Sequence, residues 1–327
     1  MNLEILSANL GNYPRPPDLR KAIDRFKRGK LTRGELLRKA SECTVRIIRL
    51  QEIAGLDVIT SGMLLWDDLI TKFMEGLEGV ELNGLLRFFD NNFYYRVPVV
   101  KGKLRWRHPL LTEEYGLAVK VARKRVKLVV PGPLTMAYLC RNEYYPKLNE
   151  LIWELGNALK RELSYLKEIR ADYLQFDEPI LTEEELKIEH FEAYLEVIGG
   201  LVKGLPFKSI VATYFGCLNP KFLQALFDVG IYMVGLDLIS CKKGLADLSR
   251  YFEGAKALSL GIVDARNTKL EDPKDLATTL AKVLKHIDVK ELHLTPNTWL
   301  DYIPYERAFL KLKVLSEATK EVRRYYE

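Results

Sequence analysis

Residues 258–267 read Leu258-Ser259-Leu260-Gly261-Ile262-Val263-Asp264-Ala265-Arg266-Asn267. A short run rich in Leu, Ile and Val gives way abruptly to polar residues, without the alternation a half-exposed strand would show. Such a run predicts a strand covered on both faces, the kind found in parallel sheets. Seven more runs of this kind are spread along the chain: Leu3–Leu10, Asp57–Gly62, Val126–Pro131, Tyr173–Asp177, Ile210–Phe215, Met233–Leu238 and Leu292–Pro296. A helix-like segment follows each one, which predicts consecutive βα units. Eight such units fit a closed (β/α)8 barrel of the TIM type, an α/β fold; a doubly wound open sheet is the alternative.

Helix punctuation agrees with this pattern. Thr32 with Glu35 forms a capping-box signature opening the segment to Ile53, and Gly55 is placed to end it. Thr182 with Glu185 repeats the signature after Pro179, and Asp272-Pro273 opens a segment ending near His286. One stretch breaks the βα rhythm. Phe88 to Trp106 is aromatic and β-branched around Asn91-Asn92 and Lys101-Gly102-Lys103, and predicts an inserted hairpin over 86–108, after the second βα unit. With no linker or repeat elsewhere, residues 1–327 read as a single barrel domain.

Composition narrows the function classes. A hydrophobic content of 48% suits a sizeable core. No apolar run approaches the roughly 18 residues of a membrane span. Met1-Asn2-Leu3-Glu4 does not resemble a secretory signal, so a soluble cytoplasmic protein is expected. A formal charge of +6 favours a small anionic ligand and falls short of a nucleic-acid signature. Its densest basic stretch, Arg20 to Lys39, reads first as a solvated helical face. The four cysteines, Cys43, Cys140, Cys217 and Cys241, lack a CxxC pair and do not read as a disulfide framework. Three glutamines among abundant Lys, Arg and Glu match the bias of proteins from hot environments.

In a barrel the functional mouth is built from residues at the C-terminal ends of the strands. Asp177 and Glu178 are adjacent there and point to opposite faces of an extended chain, so they are not an acid–base pair. A single carboxylate fixed by Pro179 suits an amine, or alternatively a buried salt bridge. No GxGxxG, P-loop or GxSxG pattern is present. His293, inside the last strand, has the ordinary role of a hydrogen-bonded core residue, and His108, His190 and His286 fall in loops or helices.

The set Asn12-Tyr13-Pro14-Arg15, Gly132-Pro133-Leu134-Thr135, Gln175-Phe176-Asp177-Glu178-Pro179, Thr213-Tyr214-Phe215-Gly216 and Leu258 to Asn267 resembles the cobalamin-independent methionine synthases, in family order and over essentially the whole chain. The full-length enzymes hold two related barrels. The C-terminal one carries zinc and homocysteine, and folate lies between the two. The Thr213–Gly216 and Gly261–Asn267 segments resemble the N-terminal, non-zinc barrel, and the resemblance implies a free-standing half.

The family supplies zinc from a His-x-Cys after the fifth strand, a Glu on the sixth and a Cys after the eighth. The matching positions here hold Tyr214, Gly216, Asp237 and Thr298, and Met63 stands for a carboxylate that helps hold homocysteine. Asp177 keeps its place. The resemblance thus implies a substrate-binding set of Asp177, Asn12, Arg15, Tyr214, Asp237, Thr298 and Trp299, with no zinc; an unusual zinc set of Cys217, Asp237 and Cys241 is the alternative. Tyr214, Trp299, Trp66 and the aromatic hairpin would line a pocket for a flat methyl-folate or pterin donor, with plain packing the other reading. The implied activity is homocysteine methyl transfer, either as companion to a separate zinc-bearing barrel, or alone, or lost in a small-molecule-binding descendant.

Overall fold

The computed structural model describes residues 3–325 except 90, 92, 242–254 and 286–287; the Asn92 and His286 named above lie outside the described residues. The chain opens with β1 (Glu4–Ser7), α1 (Pro17–Lys27), α2 (Arg33–Ala54), β2 (Val58–Ile59) and the short α3 (Thr71–Glu75). Two long strands follow, β3 (Leu77–Arg87) and β4 (Tyr94–Trp106). Next come α4 (Thr112–Val121), β5 (Arg125–Pro131), α5 (Pro133–Leu139), β6 (Arg141–Asn142) and α6 (Leu148–Leu166). The second half holds β7 (Tyr173–Asp177), α7 (Ile188–Val202), β8 (Lys208–Ala212), α8 (Pro220–Asp228) and β9 (Met233–Asp237). It ends with β10 (Ala257–Val263), α9 (Pro273–Leu284), β11 (Glu291–Pro296) and α10 (Tyr305–Arg324).

Eight of the strands form one parallel sheet in the order β1-β11-β10-β9-β8-β7-β5-β2. A parallel bridge between Ala8 and Val58 joins its two edges, making a (β/α)8 barrel. All eight expected strands are present. β2 is cut to two residues because side chains replace the ladder beyond it. Gln51 Nε2 donates to Thr60 O at 2.9 Å, and Asn9 Nδ2 donates to Gln51 Oε1 at 3.1 Å. β8 stops at Ala212 because Phe215 takes a left-handed φ of 76°.

The hairpin is larger than the expected 86–108: β3 and β4 pair antiparallel from Leu77–Trp106 to Arg87–Tyr94, and 101–103 lies inside β4. The sequence LEGVELNGLLR hid β3 because Gly79 and Gly84 sit at its register shifts. Thr32 and Glu35 do form a capping box, and Gly55 ends α2 in the left-handed region. Asp272 Oδ1 caps α9, accepting from Lys274 N at 2.8 Å. Thr182 does not open a helix. Its hydroxyl donates to Pro179 O and Tyr214 O, and α7 begins at Ile188. Residues Arg20 to Lys30 are mostly exposed, while Lys39 and Arg46 pair with Asp18.

The main core lies between barrel and helices, and a second, smaller apolar cluster fills the barrel with Leu6, Ala8, Val58, Tyr173, Ile210, Met233 and Ala257. At the N-terminal end the interior is plugged by Glu291. This carboxylate accepts from Tyr173 OH (2.5 Å), Tyr232 OH (2.6 Å) and Lys208 Nζ (2.5 Å), and meets His293 Nε2 at 2.9 Å. His293 thus is a hydrogen-bonded core residue. Among the described residues, no helix is long and apolar enough to cross a membrane.

Burial pushes the Glu291 carboxyl up, but hydrogen bonds from His293, Lys208, Tyr173 and Tyr232 outweigh it and hold the group below the usual range. Its stabilisation is therefore present above the ordinary value of 4.5 and lost as pH falls through the lowered folded value. Glu291→Gln is expected to cost about 2–3 kcal/mol at neutral pH, less than for a fully buried pair because Lys208 is half-exposed. Denaturant titration checks this, and the gap from wild type should shrink in acid.

Candidate functional site

Asp177 ends β7 at the C-terminal mouth and is completely buried. Its Oδ1 accepts from Gln175 Nε2 at 2.6 Å, and its Oδ2 from Trp299 Nε1 at 2.8 Å and Tyr214 OH at 3.2 Å. Trp299 reaches it across Gly11, where a Cβ would lie 2.6 Å from the indole nitrogen. Burial raises the Asp177 carboxyl above its ordinary range, against its hydrogen bonds and the charge of Lys127. Lys127, on β5, is 1% exposed and its Nζ has no hydrogen-bond partner. Burial lowers its amine below the usual lysine range, with Asp177 pulling the other way.

Glu178 faces away from Asp177, as expected for neighbours on a strand. It accepts from Leu134 N and Thr135 N at the start of α5. Gly132 is obligatory there, since a Cβ would fall 2.0 Å from the Glu178 carboxyl. Burial pushes Glu178 up to about 8 despite those two donors.

The rest of the mouth is tied together from loop to loop. Asp237 accepts from Phe215 N, Ile239 N and Ser240 N at 2.8–3.0 Å, and from Asn297 Nδ2 at 3.2 Å. Cys217 and Cys241, in the loops after β8 and β9, form a disulfide with Cα atoms 4.7 Å apart. This corrects the expectation of free cysteines. The two lie 24 positions apart in sequence, but neighbouring parallel strands deliver their following loops side by side. Thr298 is fully buried and its hydroxyl is unpartnered. Arg15 is spent on the loop after β2, donating to Leu64 O and Trp66 O at 2.7 Å and pairing with Asp67 at 2.8 Å.

These residues do not fit zinc. Tyr214 is bound to Asp177, Gly216 has no side chain, Asp237 is saturated by donors, and the Cys217, Asp237, Cys241 alternative fails because the sulfurs are bonded to each other. Among the described residues, no group of three or more His, Cys, Asp or Glu is placed to hold a metal ion.

Sequence reasoning placed the aromatic hairpin, Tyr214 and Trp299 at a pocket but missed the wall of Asp68, Asp301 and Tyr302. Phe88 and Phe93, flanking the hairpin turn, fold over the mouth and enclose a chamber with Tyr302, Trp299, Asp68 and Asp301. The rings of Phe88, Phe89 and Phe215 pack together, and Arg266 stands 5.7 Å over Phe215. Asn12 Nδ2 donates to Asp301 Oδ2 at 3.3 Å. Trp66 is not in this chamber; its indole donates to Glu114, which also takes Lys72 and Ser61. The composition of the hairpin hinted at the roof, whereas Asp68 and Asp301 carried no motif.

Two measurements follow from this geometry. Thiol titration of the denatured, unreduced chain should find two thiols, Cys43 and Cys140, and four after reduction. Cys217→Ser should cost about 2–4 kcal/mol of stability. For Lys127, the folded chain binds fewer protons than the unfolded one between the lowered folded value and the ordinary 10.5, so stability rises with pH across that window. Lys127→Met should flatten this slope and add about 1–3 kcal/mol in mild acid, read by denaturant titration; a loss there would mean that the amine is paired.

Comparison with known proteins agrees with this architecture. The profile described as "Cobalamin-independent synthase, N-terminal domain" matches residues 72–288. Two thermophilic archaeal proteins named methionine synthase, from Sulfurisphaera tokodaii and Saccharolobus solfataricus, are each 28% identical over 316 residues. These matches cover 96% of this chain and 91% and 93% of theirs. The barrel superposes with a TM-score of 0.81 at 21% identity on a B12-independent methionine synthase from Shewanella sp. W3-18-1 in complex with selenomethionine, covering 99% of both chains. A methyltransferase from Methanosarcina mazei gives a TM-score of 0.65 at 14% identity, over 100% of this chain and 95% of that one. The profile match spans most of the barrel, and the chain belongs to the cobalamin-independent methionine synthase family, as a methionine-synthase-type barrel most like the N-terminal half.

Proposed function

We propose that this barrel is the non-zinc component of a methionine synthase: it receives a methyl-folate or pterin-type donor and works beside a separate zinc-bearing barrel that activates the homocysteine thiol. One observation carries the reading. Among the described residues, the metal-binding groups near the family's zinc positions are already committed, Asp237 to four donors and Cys217 to Cys241. A thiol of ordinary pKa is a weak nucleophile near neutrality, and the family's remedy is metal coordination. With that remedy absent from the described side chains, the thiol chemistry falls to another chain. The exposed basic face of α1 offers a surface to an anionic donor or a partner.

Asn12, Arg15, Asp237 and Thr298 then act by shaping the mouth, and Tyr214, Trp299 and Asp177 by forming its floor. The Shewanella protein's complex with selenomethionine supports an amino-acid-sized ligand for a barrel of this fold. A small-molecule-binding descendant is the second reading, favoured by the closed chamber over that floor.

The reading is tested by mixing the purified chain with a zinc-bearing methionine synthase barrel. Methyl transfer to homocysteine should require or gain from this chain, the two should co-elute, and elemental analysis should find no stoichiometric zinc in this chain alone. Methyl transfer by the isolated chain, with zinc retained through dialysis, would overturn it.

A further inference from the structure

The chamber under Phe88 and Phe93 contains a buried carboxyl oxygen with nothing to accept. Asp301 is half-buried as a residue, yet its Oδ1 is shut off from solvent and has no donor. Its neighbours differ. Asp68 accepts from Ile70 N, Thr71 N and Thr71 Oγ1, at 2.9, 2.7 and 2.5 Å. Asp177, beyond Tyr214 and Trp299, has three donors. Leaving a buried acceptor unmet costs about 1–3 kcal/mol, which a bound donor would recover.

The walls say what kind of donor. Phe88, Phe93, Tyr302 and Trp299 present aromatic rings, Asp68 adds negative potential, and among the described residues no lysine or arginine lines the space. Aromatic faces and carboxylates attract cations and repel anions. The open volume is about 10 Å³, close to what a single water needs and so the size of an ammonium head.

We propose that this chamber binds the head of an organic ammonium ion, one N–H donated to Asp301 Oδ1 and the alkyl stem leaving between Phe88 and Phe93. The amine is thereby assigned to Asp301 and not to Asp177. The assignment goes beyond the companion-barrel reading and stands or falls by binding to this chain alone, whether or not methyl transfer is ever observed.

The proposal carries a pH signature. Burial pushes the Asp301 carboxyl up to about 7; Arg15, from the loop after β1, and Asp301's own backbone N–H pull it down, and Asp68, from the loop before α3, pushes it up. Tyr302, the adjacent ring, stays neutral, since burial raises its hydroxyl far above the ordinary range. A cation needs the ionised carboxylate, so binding should weaken about tenfold from pH 8 to pH 6.

The test is calorimetric titration of the full chain with n-butylammonium and, as an isosteric neutral control, n-butanol. The ammonium should bind about tenfold or more tightly than the alcohol at pH 8 and lose that advantage at pH 6. Asp301→Asn should abolish the preference without lowering the melting temperature, while Asp177→Asn should leave it intact. Should Asp301→Asn fold poorly, Phe93→Ala, which keeps the carboxylate, should weaken the ammonium about threefold or more. Equal binding of alcohol and ammonium, or loss in Asp177→Asn with retention in Asp301→Asn, would overturn the assignment.

Discussion

A carboxylate at the top of a filled barrel cannot be left to water, and the mouth of this protein is organised around meeting that demand for Asp177. Three neutral donors converge on it from three strands: Gln175 from β7 itself, Tyr214 from the end of β8 and Trp299 from the loop after β11. Each has a local cause. Tyr214 turns inward as β8 leaves its ladder, helped by the left-handed backbone at Phe215, and Phe215 N is then pinned by Asp237. Trp299 passes over Gly11 because nothing larger than hydrogen fits beneath its indole. Neutral donors satisfy the oxygens without neutralising the charge, so burial still raises the proton affinity of the group.

The same hydrogen bonds leave the described residues of the mouth poorly placed to ligate a metal. A zinc ligand must have a free lone pair facing a shared point. Tyr214 and Asp237 are engaged in holding loops together, and the disulfide between Cys217 and Cys241 adds a covalent tie between the loops after β8 and β9. Positions that the resemblance matches to the family's zinc ligands, Tyr214 and Asp237, brace the rim in this chain. Bracing and catalysis compete for the same side chains, because both need polar groups at the strand ends.

Four carboxylates near the mouth illustrate how environment assigns role. Glu178 caps the start of α5, Asp68 closes a turn before α3, and Asp177 serves as the hub of the floor. Asp301 alone keeps a buried oxygen without a donor. Their chemical type is nearly identical, and only the supply of nearby N–H and O–H groups separates structural from ligand-facing roles. Lys127 is the converse case, a buried cation whose nearest compensation is the field of Asp177 and not a hydrogen bond.

The barrel itself was legible in the sequence. Eight apolar runs, Asp177 at the end of one of them, the capping box at Thr32 and the αL glycine at Gly55 are local patterns, set by hydrophobic period and backbone preference within a few residues. What tertiary structure decided involves residues remote in sequence. β3 lay mostly outside the expected hairpin until β4 paired with it, Cys217 and Cys241 became partners only when β8 and β9 lay side by side, and Arg15 turned from a ligand candidate into a clamp on Leu64 and Trp66. Asp301 reads as an ordinary acidic residue until the hairpin, the first βα loop and the last one close around it. Periodicity and propensity act within one element, so one chain suffices to read them. Burial and hydrogen-bond supply are properties of several elements at once, and they exist only after the barrel has closed.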